Sequence, residues 1–186
     1  LRIVVINGSP RGADSGTLQA VEYLRLKNPR VEFSPFHVAA QIDALTGDPD
    51  ALAALGARVA ACDGVLWVFP LYHCLVPAQL KRFIELAAEK GAARSFSGKY
   101  AAALTTSIHI MDHTAHNYIR GISEDWGLRF VDSFSGSDEL LSEPGRRAIA
   151  GFGASFLDAL GRQAPAQRQY PPIKRESFVY EPSRAL

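Results

Sequence analysis

The chain has 186 residues, 47% of them apolar and 21% charged, which fits one domain with a sizeable core. Lys and Arg number 20 against 19 Asp and Glu, a net charge of +1, so the basic excess of a nucleic-acid binder is missing. No apolar run nears the roughly 20 residues of a membrane span, and the two cysteines, Cys62 and Cys74, form no CxxC pair, which points away from a disulfide framework and toward a reducing cytoplasm.

The elements follow in order. Arg2–Ile6 is continuous and β-branched and reads as a first strand. Thr17–Leu26 carries Leu18, Val21, Leu24 and Leu26 at helical spacing. Val31–Phe36 is a short strand after the break at Asn28-Pro29. Residues 37–50 read as loop, followed by a helix from about Pro49 to Ala61. Gly64–Phe69 (GVLWVF) is the most apolar strand. Pro77–Lys90 is a helix with Leu80, Phe83, Ile84 and Ala87 on one face. Lys99–Thr106 is a fourth strand, His113–Trp126 a helix, Leu128–Phe134 a fifth strand and Pro144–Leu160 a last helix. From Ala164 the composition changes: four prolines, two tyrosines and no helical period read as an extended tail. The expected division is therefore a domain over 1–162 and an arm or linker over 163–186. Leu1 in place of an initiator Met leads us to expect a trimmed chain or part of a longer protein, and no leader is expected ahead of the first strand.

Five apolar strands alternating with five helices imply an α/β fold. Strands this apolar are covered on both faces, as in a doubly wound parallel sheet of order 2-1-3-4-5 with right-handed crossovers. In such a sheet ligands bind beyond the carboxyl ends of the central strands. Three loops emerge there.

The first is NGSPRGADSGT, residues 7–17. A helix start near Gly16 supplies free N–H groups and a favourable dipole for an anion. Ser9, Ser15 and Thr17 add hydroxyls, Arg11 adds a forked cation, and the glycines permit close approach. The spacing fits neither GxxxxGK[ST] nor GxGxxG, so a terminal phosphate suits the loop better than a triphosphate or a dinucleotide. The loop alone also leaves open a plain turn with Ser15 as helix cap. The second loop lies in FPLYHCLVPAQLKRFIE, residues 69–85. Pro70 stops the strand and Pro77 opens a helix. Leu71, Tyr72, His73, Cys74 and Leu75 then place backbone polar groups and two rings where the edge of a flat heterocycle could be read. The third, TTSIHIMDHTAHNYIR, begins with Thr105, Thr106 and Ser107. His109, His113 and His116 follow; their spacing and thin carboxylate support argue against a metal site. They read instead as pocket-rim groups able to donate a hydrogen bond or shuttle a proton, with Asp112 or Thr114 capping the helix.

Together the GSPR…SGT loop, the Pro70, Tyr72, Pro77, Ala78, Gln79, Leu80, Lys81, Phe83 and Glu85 pattern, and the TTS end of strand four resemble the flavodoxin-like NAD(P)H-dependent FMN reductases and their iron–sulfur flavoprotein relatives. The resemblance spans about residues 1–160. It implies bound FMN, with its phosphate on Ser9, Arg11, Ser15, Gly16 and Thr17. The isoalloxazine would lie against Pro70, Leu71, Tyr72, His73, Cys74 and Leu75 and the Thr105–Ser107 edge. Tyr72, His73, His109 and His113 are the rim candidates, and the flavin carries the chemistry. It further implies NAD(P)H as donor, a quinone, flavin or other small molecule as acceptor, and a homodimer or homotetramer closing the site. The compact four-cysteine motif of the iron–sulfur relatives is missing, so no cluster is expected. Cys74 stands where Gly or Ser is common in the family. The other reading of the same features is an electron-transfer module serving a protein partner or attached domain, against which the near-neutral charge counts.

Overall fold

The computed structural model describes residues 1–137, 139–140 and 142–173. Its β1 (Arg2–Asn7), β2 (Glu32–His37), β3 (Gly64–Pro70), β4 (Tyr100–Thr106) and β5 (Arg129–Gly136) form one parallel sheet of order 2-1-3-4-5, as the alternation of the sequence requires. The six α-helices are α1 (Gly16–Lys27), α2 (Val38–Gly47), α3 (Pro49–Ala60), α4 (Ala78–Glu89), α5 (Asp112–Asp125) and α6 (Glu143–Gly161).

Alternation along each strand divides the core in two. Val4, Ile6, Val65, Trp67, Phe69, Ala101 and Ala103 face one side, where helices α2 to α5 pack. Ile3, Val5, Leu66, Val68, Ala102 and Leu104 face the other, against α1 and α6. Period-two burial on both faces is the signature of a covered parallel sheet. On the first side Trp67 lies parallel to Phe96 at 6.0 Å, and Trp126 is tilted against Phe96 at 4.9 Å. The Trp67 indole N–H donates to the buried Ser123 hydroxyl at 3.0 Å, so this large ring leaves no polar atom unpaired.

Two departures from the sequence reading concern helices. Residues 38–47 are helical rather than loop, making six helices where five were expected. Val38 and Leu45 are buried and Ile42 is partly so. That i, i+4, i+7 spacing is a helical stripe, short enough to be hidden among Ala, Asp and Thr. In α1, Leu26 points outward at 64% exposure, and Ala20 joins Val21 and Leu24 in the core.

Residues beyond α6 are extended through the last described positions. Tyr100 donates its hydroxyl to the Ala164 carbonyl at 2.8 Å. Glu124, buried on α5, accepts from the backbone N–H groups of Gln169 at 3.0 Å and Tyr170 at 2.7 Å. The rest of the expected arm, residues 174–186, lies outside the described residues.

The ladder carries order to the carboxyl edge. Gly8 N–H donates to Val68 carbonyl, Leu71 N–H to Thr106 carbonyl, and Ser107 N–H to Gly136 carbonyl, at 2.8, 2.9 and 2.9 Å. A Cβ on Gly8 would meet Leu80 Cδ2 at 2.5 Å, so α4 presses directly against the start of the first loop. Three loops are thereby held in register along one edge.

Candidate functional site

Buried Asn7, at the end of β1, organises the first loop. Its side-chain amide donates to the Gly12 carbonyl at 2.8 Å and to His37 Nδ1 at 2.9 Å, while its carbonyl accepts from Ser9 N–H at 3.1 Å. The Arg11 backbone N–H donates to Ser9 Oγ at 3.3 Å, and Gly12 turns through a φ of +55°. Ser15 follows at the N-cap position of α1, but its hydroxyl makes no cap bond. It is 4% exposed, and its Oγ is the one buried side-chain polar atom without a partner among the described residues. Ser15 is not acting as a helix cap, and an orphaned buried hydroxyl costs free energy unless a ligand meets it. The N–H groups of Gly16 and Thr17 have no acceptor among the described residues either, as expected for a first helical turn. Ser9 and Thr17 are each 1% exposed, and Thr17 Oγ1 lies 2.6 Å from Thr106 Oγ1, joining the first loop to the third. Arg11, by contrast, is exposed, and its guanidinium has no partner among the described residues.

The second loop is a tight hairpin. Tyr72 and Leu75 exchange backbone hydrogen bonds, both 3.0 Å, across His73 and Cys74. Both central residues are left-handed, with φ of 46° and 67°. This is the geometry of a type I′ turn, normally filled by Asn-Gly. With Leu71, Tyr72 and Leu75 N–H engaged, only His73 and Cys74 N–H groups of this turn lack an acceptor among the described residues. The sequence suggested a row of reading groups; the structure narrows it to two adjacent ones. A left-handed Cβ residue costs about 1–2 kcal/mol. Cys74→Gly should therefore stabilise the protein by about 0.5–1 kcal/mol, the gain tempered by glycine's freer unfolded chain. Urea unfolding midpoints measure this, and a lower midpoint would mean that the turn is not strained.

The third loop is an interlocked polar network. Thr105 is fully buried beneath the edge, its Oγ1 within 2.9 Å of His116 Nε2 and 3.0 Å of Ser135 Oγ. Ser107 donates to the Asp112 carboxylate at 2.7 Å and accepts from His109 N–H at 2.8 Å. Ser135 Oγ approaches Ser107 at 3.4 Å, and His109 Nδ1 lies 3.2 Å from Asp112 Oδ2. Burial pulls the Asp112 carboxyl upward, but hydrogen bonds from Ser107, Ser135 and His109 together hold it below its usual range. His116 lies low because burial disfavours its charge, an effect that Asp112 and Asp132 only partly offset. The cap expected from Asp112 or Thr114 is absent. Met111 is the N-cap, left-handed at φ 55°, and no side chain caps the helix. Asp112 instead faces back toward β4.

The three loops enclose a cavity of about 740 Å³, within the roughly 300–1,000 Å³ of small-molecule sites. Gly16 and Gln19 line it from α1, and Leu71, His73 and Cys74 from the second loop. Thr106, Ser107, Ile108 and Ile110 line it from the third, with Ser137 and Leu140 from the segment after β5. Of the rim candidates, His73 alone is in this lining. His109 lines a smaller adjoining cleft, His113 is exposed, and His116 is under β4 rather than at the rim. Tyr72 and Leu75 face outward, 45% and 42% exposed. Sequence reasoning missed Gln19, which shares the Gly16 face of α1 at i+3, and also Ser137 and Leu140, whose only signal was their place after β5. The other cysteine, Cys62, is buried at the far end of the sheet, where desolvation pushes its thiol upward.

The model of the NADPH-dependent FMN reductase family matches residues 1–120. No curated protein matches the chain. Among solved structures, it is similar to the flavoenzyme NAD(P)H:(acceptor) oxidoreductase FerB of Paracoccus denitrificans, at TM-score 0.67 and 22% identity over 87% of this chain and 97% of that one. An NADH:FMN oxidoreductase in its apo form aligns at TM-score 0.63 and 23% identity, over 83% and 89%. An FMN-dependent NADH-azoreductase from Bacillus anthracis, in complex with FMN, aligns at 0.62 and 10%, over 88% and 99%. At these identities the structural likenesses establish the fold.

Proposed function

The chain belongs to the NADPH-dependent FMN reductase family, and on that premise we propose that it holds FMN in the 740 Å³ cavity and passes electrons from NAD(P)H to a small carbonyl acceptor such as a quinone.

The observation that carries this reading is the orphaned Ser15 hydroxyl beside the free N–H groups of Gly16 and Thr17. A phosphate monoester satisfies all three, and the α1 dipole favours its charge. Ser9 adds a further hydroxyl, and exposed Arg11 adds a cation on the same loop. At the other end of the cavity, His73 and Cys74 N–H groups are suited to the polar edge of the isoalloxazine. Thr106 and Ser107 form the opposite wall. Thr105 supports that wall from below, and the Ser107 hydroxyl is already engaged by Asp112 and His109, so its contribution is shape and backbone. Pro70 and Leu71 fix where the second loop leaves β3.

When bound, FMN supplies the hydride-accepting centre, and the protein's part is binding, orientation and electrostatics. The residues named above would hold the phosphate at the start of α1, where Gly16 lines the cavity, and the ring edge at His73 and Cys74. Ile108 and Ile110, which line the cavity, are 76% and 57% exposed, and outward-facing Tyr72 and Leu75 on the second loop add further exposed apolar surface. Such a surface supports closure by a second copy in a homodimer or homotetramer. We read residues 1–162 as the FMN-binding domain and 163–186 as an arm or linker, of which Gln167, Gln169 and Tyr170 bond to Arg120 and Glu124 of α5. Among the described residues no helix is long and apolar enough to cross a membrane.

The test is a visible spectrum of the purified protein, followed by anaerobic NADPH or NADH. Flavin bands near about 370 and 450 nm that bleach on nicotinamide addition are expected. No flavin binding after addition of FMN would sink the reading. Bound FMN that neither nicotinamide bleaches would favour delivery between protein partners.

A further inference from the structure

The third loop places a histidine–carboxylate pair beside the cavity that FMN binding does not use. His109 lies between Ile108 and Ile110, which line the main cavity, but is itself among the residues lining the adjoining 260 Å³ cleft. The two hollows share Ser137 and Leu140. His109 is tied at two points: its backbone N–H donates to Ser107 Oγ at 2.8 Å, and its Nδ1 lies 3.2 Å from Asp112 Oδ2. Its backbone is left-handed, at φ 59°, a conformation a Cβ residue keeps only where its surroundings impose it. The ring nonetheless stays 55% exposed while Asp112 is 15% exposed.

These facts fix the chemistry of the ring. Asp112 is held ionised and accepts, so Nδ1 carries a proton and donates to it. Nε2 has no hydrogen-bond partner among the described residues. Asp112 in turn is anchored by Ser107, and Ser107 is backed by the Ser135–Thr105–His116 hydrogen bonds. A carboxylate that orients an imidazole through Nδ1 and leaves Nε2 free is the arrangement used to deliver a proton. Among the charged groups facing the ring, Asp112 belongs to its own loop and helix, and Glu139 lines the same cleft from across β5.

We infer that His109, oriented by Asp112, donates the proton that accompanies hydride delivery to a carbonyl acceptor lying where the two hollows meet at Ser137 and Leu140. The assignment rests on the function proposed above. Reduction of a quinone to its hydroquinone takes two electrons and two protons. The reductase supplies both electrons and one proton as hydride from NAD(P)H. The second proton comes from the doubly protonated form of His109: its Nε2–H bond breaks, an acceptor O–H bond forms, and the ring is left neutral with its remaining proton on Nδ1 against Asp112. The neutral imidazole then takes a proton from water. Ile108, Ile110 and Leu140 provide the apolar wall for the body of a flat acceptor.

The experiment compares two acceptors on the FMN-loaded protein with NADPH: menadione, which needs the proton, and ferricyanide, which takes one electron and no proton. In His109→Gln the ratio of menadione to ferricyanide turnover should fall at least tenfold, general acid groups contributing about 10²–10⁴-fold. Asp112→Asn should lower the same ratio and act on kcat more than on KM. In the cofactor-free protein, ring ¹⁵N shifts should show neutral His109 protonated at Nδ1, with the tautomers mixed in Asp112→Asn. An unchanged ratio in His109→Gln, or a wild-type ring protonated at Nε2, would overturn the assignment alone. Wild-type protein that reduces neither acceptor would overturn the assignment together with the function on which it rests.

Discussion

Ser15→Ala is expected to raise the stability of the cofactor-free protein while weakening FMN binding. Loss of an N-cap serine ordinarily costs about 0.5–2 kcal/mol. Here that cost does not arise, because the Ser15 hydroxyl makes no cap bond. What the mutation removes is a buried oxygen without a partner, an arrangement worth about 1–3 kcal/mol of destabilisation. The cofactor-free variant should therefore gain about 1 kcal/mol, read as a higher urea midpoint. A phosphate dianion would satisfy the same hydroxyl through a charge-assisted bond worth about 1.5–3 kcal/mol. FMN affinity should thus fall about 10- to 100-fold, read by quenching of flavin fluorescence. The opposite signs are the point: sites built for a ligand are strained without it. A variant that loses stability like an ordinary cap deletion and binds FMN as before would place the phosphate elsewhere.

Most of the architecture was legible because the strands are apolar on both faces. The runs at Ile3–Ile6 and Gly64–Phe69 admit only a covered parallel sheet, and the turn chemistry after each fixed where the loops would meet. The α2 helix was not legible as a helix, since three core residues at 38, 42 and 45 are a weak signal between two loops. Within the site, residue types were visible but their engagement was not. Nothing in LYHCL tells that three of its N–H groups close on the ladder or the hairpin, leaving His73 and Cys74. The left-handed backbone at His73, Cys74, His109 and Met111 is not legible from local propensity, because tertiary structure imposes it. The three histidines show the same limit. Spacing grouped His109, His113 and His116, but the helix begins between the first and second. His116 is thereby turned under Thr105, His113 into solvent and His109 to the cleft.

The second large effect concerns the arm rather than the cavity. Glu124 is 3% exposed and accepts from Arg120 Nε at 2.8 Å, from Gln169 N–H at 3.0 Å and from Tyr170 N–H at 2.7 Å. Arg120 also donates to the Gln167 carbonyl at 3.2 Å and lies over the Phe130 ring. One carboxylate thus pins the extended segment to α5. Removing it strands two backbone donors and a guanidinium that is 26% exposed. The penalty should fall below the 3–5 kcal/mol of a fully buried pair, at about 2–3 kcal/mol for Glu124→Ala. That loss should appear first as local release: the Gln169 and Tyr170 amides lose hydrogen-exchange protection and the segment becomes open to protease, while β3 and β4 stay protected. Acid gives an independent check. Burial raises the Glu124 carboxyl, but the Tyr170, Arg120 and Gln169 hydrogen bonds outweigh it and hold the group below 4.5. A depressed carboxyl contributes its stability above the unfolded value and loses it as pH falls through the folded one. Protection at residues 169 and 170 should therefore decline below about pH 4.5 in the wild type, beyond the ordinary pH dependence of exchange. Glu124→Gln should start lower and lack that acid step, because an amide cannot ionise and turns a donor toward the two N–H groups. Full protection in Glu124→Gln at neutral pH would show that packing, not the carboxylate, holds the arm.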